Sequence, residues 1–187
     1  MNDFQIRKAI KEHELIKHIE DSDTKIIDEM GLNLGSSIID IAVVNGSMLG
    51  YEIKSDRDTL NRLSGQVEQY NKVFDYLNIV TSKKYASIIG DFIPDWWGII
   101  EVEDLKGNIS IHQHRIAKAN EDVSSYSLLQ LLWKEELVEI IDKFIPNKSM
   151  KNKPKKIIWA YIRDNLDRTT LKDLVRYYLK KRINWKV

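Results

Sequence analysis

Ser37-Ile38-Ile39-Asp40-Ile41-Ala42-Val43-Val44, followed after Asn45-Gly46 by Leu49-Gly50-Tyr51-Glu52-Ile53-Lys54-Ser55, is the stretch that decides the fold. The first run is apolar on both faces, as an interior strand is. Asn45-Gly46 is a strong hairpin signal, so the second run is the return strand. Asp40 is the anomaly, because a carboxylate in an apolar strand is costly unless something binds it. Side chains alternate across a strand, so Glu52 and Lys54 share one face while Ile53 goes to the core. Whether Asp40 joins them depends on the turn. A two-residue turn at Asn45-Gly46 sets Asp40 opposite Tyr51 and leaves Glu52 on the wrong face. A three-residue loop, Asn45-Gly46-Ser47 with its glycine left-handed, sets Asp40 opposite Glu52. A slip of one residue destroys the constellation.

Working outward, residues 4–19 carry Ile6, Ile10, Ile16 and Ile19 at helical spacing. Residues 25–32 read as a short strand, ended by Gly31 and Gly35. After the hairpin, Ser55-x-x-Asp58 fits a capping box. It opens a helix whose apolar seam is Leu60, Leu63, Val67, Tyr70, Phe74 and Leu77. Residues 78–81 are a buried strand, 83–92 helical, and 97–102 and 108–114 two further strands. Residues 126–145 form one amphipathic helix, and 147–154 have the composition of a linker. Two helices follow, 155–166 and 170–182, the last capped by Thr170-x-x-Asp173. Helix, three strands, helix, strand is an α/β order with a mixed sheet. The expected division is a core over 1–146 and a basic helical extension over 147–187, within the same unit or as a small appendage.

If the register holds, Asp40, Glu52 and Lys54 converge. Hard oxygen ligands suit Mg²⁺ or Mn²⁺ rather than Zn²⁺. Such a metal lowers the pKa of a bound water and neutralises charge on a phosphodiester oxygen. Lys54 then holds the attacking water or stabilises the developing charge. The plain alternative is a cross-strand salt bridge on a solvated face.

The 187 residues carry a net charge of +1 that hides an asymmetry. After Asp142 there are 14 Lys/Arg and 3 acids, leaving 15 bases and 25 acids up to and including it. Phe144, Trp159, Tyr161, Tyr177, Tyr178 and Trp185 lie among those bases. Aromatics among bases suit nucleic acid, and Lys172, Arg176 and Lys180 form a stripe that can follow a phosphate backbone. The alternative is a basic hairpin docking on its own acidic body. With no cysteine, disulfide, thiolate-metal and cysteine-nucleophile classes are excluded. No apolar run reaches the length of a membrane span, and no signal peptide is visible, so the expected address is the cytoplasm. His112 and His114 share a strand face without a third ligand nearby in sequence. Trp96-Trp97 either stacks a base or closes a core edge. Arg57, Arg62 and Lys72 either touch phosphates or face solvent.

Asp40 and then Glu52-Ile53-Lys54, with Gln66-x-x-x-Tyr70 on the next helix, resemble the PD-(D/E)xK nuclease superfamily and the QxxxY motif of its RecB-like branch. Gln66 and Tyr70 are four apart and share a helical face. Residues 50–70 (GYEIKSDRDTLNRLSGQVEQY), then PDWWG and LLWKEEL, resemble a family of small bacterial proteins in that superfamily, over nearly the whole chain. The resemblance implies a restriction-endonuclease-like αβββαβ core and a Mg²⁺- or Mn²⁺-dependent deoxyribonuclease. Asp40 and Glu52 would be metal ligands, with the Ile53 carbonyl a third and Lys54 the catalytic lysine. Gln66 and Tyr70 would orient the site. Glu29 leads the candidates for an additional acid, with Glu12 and Glu14 behind it. Ile39 stands where the motif has proline. DNA is the expected partner, with RNA and a homodimer both compatible. The rivals are a non-catalytic nucleic-acid-binding module and a protein-interaction domain.

Overall fold

The computed structural model describes residues 1–183, apart from the Lys17 side chain; Trp185 lies outside the described residues. Six strands form one mixed sheet in the order β1 (Lys25–Leu32), β2 (Ser37–Val44), β3 (Met48–Lys54), β4 (Tyr76–Thr81), β5 (Gly98–Leu105), β6 (Asn108–Arg115). The β3–β4 and β4–β5 pairs are parallel and the others antiparallel. Helices cover both faces. On one, α1 (Asp3–Ala9) and the turn after it lay Ile6, Ala9, Ile10 and Leu15 on Ile41, Val43, Tyr51 and Ile53. On the other lie α3 (Leu63–Tyr70) and the C-terminal helices α5 (Ser125–Leu129), α6 (Lys134–Phe144), α7 (Lys155–Asn165) and α8 (Arg168–Lys181).

The chain is α/β with a mixed sheet, as the sequence order implied. The C-terminal helices are part of the main core: Ile158, Trp159, Ile162, Leu171, Val175 and Leu179 pack in one cluster with Tyr70, Phe74 and Leu77. The 147–187 extension is therefore no separate appendage over its described part.

Several boundaries differ from the sequence reading. The first helix is broken: a π-turn over Ile10–Glu14 precedes α2 (Ile16–Ile19), with Leu15 N–H bonding to the Ile10 carbonyl at 2.9 Å. The extra residue rotates the apolar face. Leu15 is buried in consequence, and Ile16 and Ile19 are exposed. Gly31 lies inside β1 rather than ending it. Ser55-x-x-Asp58 closes a turn, not a helix: Asp58 accepts the Ser55 N–H at 2.8 Å, and α3 begins only at Leu63. That helix stops at Tyr70, because Leu77 is already paired with Gly50 in the sheet. Residues 83–92 form α4 (Lys83–Ala86) and a 3-10 turn (Ile89–Phe92). The helix expected over 126–145 is two, divided at Trp133, whose N–H is taken by the Glu136 carboxylate at 2.7 Å. The cap of α8 is Asp167, accepting the Thr170 N–H at 2.9 Å, while Asp173 pairs with Arg176.

The β2–β3 register is the one the constellation requires. Val44 pairs with Met48 and Ile41 with Tyr51, across a three-residue loop, Asn45-Gly46-Ser47. Gly46 is not left-handed. Instead the side-chain carbonyl oxygen of Asn45 accepts the Ser47 N–H at 3.0 Å and closes the loop.

Gly50 faces the α3 side, where a Cβ would fall 2.5 Å from Ile39 and 2.6 Å from Leu77. Side-chain alternation breaks at Asp40. Ile41 and Val43 pack under α1, whereas Ile39, which strict alternation would place with them, packs under α3. Opposite this break, Glu29 takes a φ of 53° in the gap between the Asp28–Ile41 and Met30–Ile39 pairs. The β1–β2 pairing is therefore interrupted, with no change of register, where the anomalous carboxylate sits.

Candidate active site

β2 and β3 stop pairing beyond Ile41–Tyr51, and Asp40 lies in the opening. Its Oδ2 accepts the Ile53 N–H at 2.7 Å, a bond that a continuing strand would have taken. Its Oδ1 accepts from the Arg7 guanidinium at 2.9 Å, and its backbone carbonyl accepts a second Arg7 N–H at 2.6 Å. Burial pushes the Asp40 carboxyl up to about 7, helped by the charge of Glu52; the Ile53 N–H and Arg7 act against it.

Glu52 and Lys54 project from the same face of β3 toward α3, and both are buried. Lys54 Nζ donates to Glu52 Oε1 at 2.6 Å and to Gln66 Oε1 at 2.9 Å. Gln66 Nε2 donates to Glu52 Oε1 at 2.7 Å and to the Tyr70 hydroxyl at 3.2 Å. That hydroxyl lies 2.5 Å from the Ile38 carbonyl and 2.9 Å from Glu52 Oε2, and donates its single proton to one of them. Burial and the Glu52 charge raise the Tyr70 pKa, keeping the phenol neutral. Trp97 stacks on Tyr70 with ring centroids 6.3 Å apart, and its indole N–H is held by Asn71 at 2.8 Å. Trp97 is thus core support rather than a base-stacking surface.

These groups meet in one cleft of about 930 Å³. Asp40, Glu52, Ile53, Lys54, Gln66 and Glu29 all line it, and Tyr70 closes it from behind. Ile53 presents its backbone, since its side chain is buried under α1. Asp3, Asp58, Asn61, Arg62 and Gln69 also line the cleft. Of the three acids that sequence offered, Glu29 is there; Glu12 pairs with Lys8 at 3.7 Å on the exposed side of its helix, and Glu14 is not among the lining residues.

Sequence reasoning missed Asp3 and Arg7. They are four apart on α1, a spacing shared by ordinary surface pairs such as Glu68 and Lys72. Only the path of α1 across the sheet distinguishes them.

The donor set admits a hard cation. Among the described residues no group of three or more His, Cys, Asp or Glu side chains is arranged to hold a metal. The set is two carboxylates, Asp40 and Glu52, beside the Ile53 backbone. It suits Mg²⁺ or Mn²⁺, which keep several waters, better than zinc. The two carboxylates also line one cleft, where the Glu52 charge opposes that of Asp40.

A family profile described as bacteriophage P4 protein cII matches residues 2–186. The chain belongs to that family. Protein cII of Enterobacteria phage P4 is 28% identical over 123 residues, covering 66% of this chain and 47% of that protein. The chain thus spans about half the length of this relative. No solved structure matches.

Within this member of the cII family, the remaining residues singled out by sequence lie away from the cleft, Arg62 excepted. Lys172 is ion-paired with Asp75, and Arg176 with Asp173 and, at 3.9 Å, with Asp75. Lys180 meets Asp23 at 2.6 Å. All three basic side chains of the stripe are thus ion-paired with acids, Asp75 and Asp23 from the body and Asp173 from the same helix. Lys72 pairs with Glu68 at 2.7 Å. His112 and His114 lie with ring centroids 5.8 Å apart, and His114 Nε2 is 2.7 Å from Glu101. No helix among the described residues is long and apolar enough to cross a membrane.

Proposed function

We propose that this chain is a divalent-cation-dependent nuclease with a restriction-endonuclease-like PD-(D/E)xK core, acting on DNA. The observation that carries the reading is the closed network of Glu52, Lys54, Gln66 and Tyr70, with Asp40 across the same cleft. A salt bridge on a solvated face, the plain alternative, does not account for an acid and a lysine both buried against a glutamine and a tyrosine.

In this reading Asp40, Glu52 and the Ile53 carbonyl would hold Mg²⁺ or Mn²⁺, with Glu29 and Asp3 adding negative charge in the cleft. When bound, such an ion would supply Lewis acidity and a water of lowered pKa. Lys54 keeps two donors on Glu52 and Gln66, and a third N–H remains for a phosphate oxygen or the attacking water. Gln66 fixes the lysine by accepting from it while donating to the same glutamate. Tyr70 anchors Glu52 from behind. Arg62, which also lines the cleft, would meet a neighbouring phosphate.

The test is cleavage of plasmid, linear duplex and single-stranded DNA with Mg²⁺, Mn²⁺ or EDTA. Metal-dependent cutting should fall at least about a hundredfold in Asp40→Ala, Glu52→Ala and Lys54→Ala. Undiminished cutting by any pure, folded variant, or no cutting by wild type on any substrate, refutes the assignment.

A further inference from the structure

We infer that Arg7 is a positioning residue that serves as a built-in counter-cation for Asp40, and that its charge sets how tightly the cleft takes a divalent cation. The inference rests on the cation site proposed above. Arg7 comes from α1, on the opposite side of the sheet from Gln66 and Tyr70. It does not line the cleft, whereas Asp40 does. Its fork is split between two acceptors of one residue, the Asp40 carbonyl at 2.6 Å and Oδ1 at 2.9 Å. That arrangement fixes backbone and carboxylate together, which a lysine ammonium would not reproduce. Each carboxylate oxygen accepts about two hydrogen bonds. With Oδ1 on Arg7 and Oδ2 on the Ile53 N–H, each oxygen retains acceptor capacity for a ligand in the cleft.

The surrounding charges are matched to this role. Asp3 and Asp28 flank the guanidinium at 3.5 and 3.6 Å, and Lys11 meets Asp28 at 2.6 Å. Counting the cleft acids Asp3, Glu29, Asp40, Glu52 and Asp58 with Asp28, against Arg7, Lys11, Lys54 and the cleft's Arg62, two negative charges remain when Asp40 is ionised, the charge of one divalent ion. Arg7 therefore holds the carboxylate in place without the ion and opposes the ion's charge when it arrives.

The experiment is Mn²⁺ binding to the whole chain, followed by the electron paramagnetic resonance of free Mn²⁺, with Asp40→Ala defining the site. Arg7→Gln keeps an N–H donor and loses the charge. It should bind Mn²⁺ at least tenfold more tightly, about 1.4 kcal/mol, while Arg7→Lys, which keeps the charge but not the fork, should gain no affinity. A residue that merely braced the fold would leave affinity unchanged or weaken it. Asp28→Asn, an exposed change away from the cleft that unmasks the Arg7 charge, should weaken binding several-fold, and the remote Asp21→Asn should not. It also serves if Arg7→Gln does not fold. If wild type binds Mn²⁺ through Asp40 but Arg7→Gln binds no tighter, or Asp28→Asn binds as wild type does, the role of Arg7 is overturned and the cation site stands. If wild type shows no Asp40-dependent binding, both fall.

Discussion

Replacing Asp40 with asparagine should stabilise the metal-free protein above neutral pH and not below about pH 4. In the fold the carboxyl is raised from 3.8 to about 7, chiefly by burial and then by the charge of Glu52. A group that keeps its proton to higher pH in the folded state takes up protons on folding. Its contribution is full below the unfolded pKa and is lost as pH rises through the folded one. A shift of about three pH units at ~1.4 kcal/mol each amounts to about 4 kcal/mol. The side chain is 24% exposed, so solvent screening does not erase it. The asparagine amide has no charge to desolvate. Urea unfolding of wild type and Asp40→Asn in EDTA, from pH 4 to 8, should show the difference in stability growing by about 4 kcal/mol in favour of the variant, mostly between pH 4 and 7. A flat difference would place the carboxyl in its ordinary range. A difference of opposite sign would mean that Arg7 and the Ile53 N–H outweigh burial and Glu52, and the electrostatic account of the cleft would be wrong.

Gly50→Ala should cost about 1–3 kcal/mol in urea unfolding, because the new methyl meets Ile39 and Leu77 well inside contact distance; a neutral change would show that this packing yields. Arg182→Met should cost about 3–5 kcal/mol by leaving the buried Glu136 carboxylate without its partner. Adding Glu136→Gln should recover part of that loss, and no recovery would argue against the pair as the cause. Lys172→Gln with Lys180→Gln should change DNA affinity less than about twofold and leave its salt slope unaltered, since both ammoniums are engaged by acids of the body. A tenfold loss would show that those pairs open to phosphate.

The strands β1 to β6 were legible because a two-residue period and apolar runs bounded by Asn-Gly, Gly and Pro are local signals. So were the shared face of Glu52 and Lys54, and of Gln66 and Tyr70, which follow from strand and helix periods alone. The sequence also reduced the site to a single question, the parity of the 45–47 loop, but could not answer it. The answer lies in whether Asn45 bonds Ser47 and in the packing that holds Val44 against Met48. Tertiary structure decided the rest. The length of α3 was settled by β4, which claimed Leu77 for the sheet. Leu15 rather than Ile16 is buried because the π-turn rotates the helix to fit the sheet beneath it. Arg7 reaches Asp40, and Asp23 and Asp75 reach the basic stripe, across separations that no periodicity links. Spacing along a chain encodes which residues share a face; which faces meet depends on the burial of the whole core, and that is not written in any one stretch.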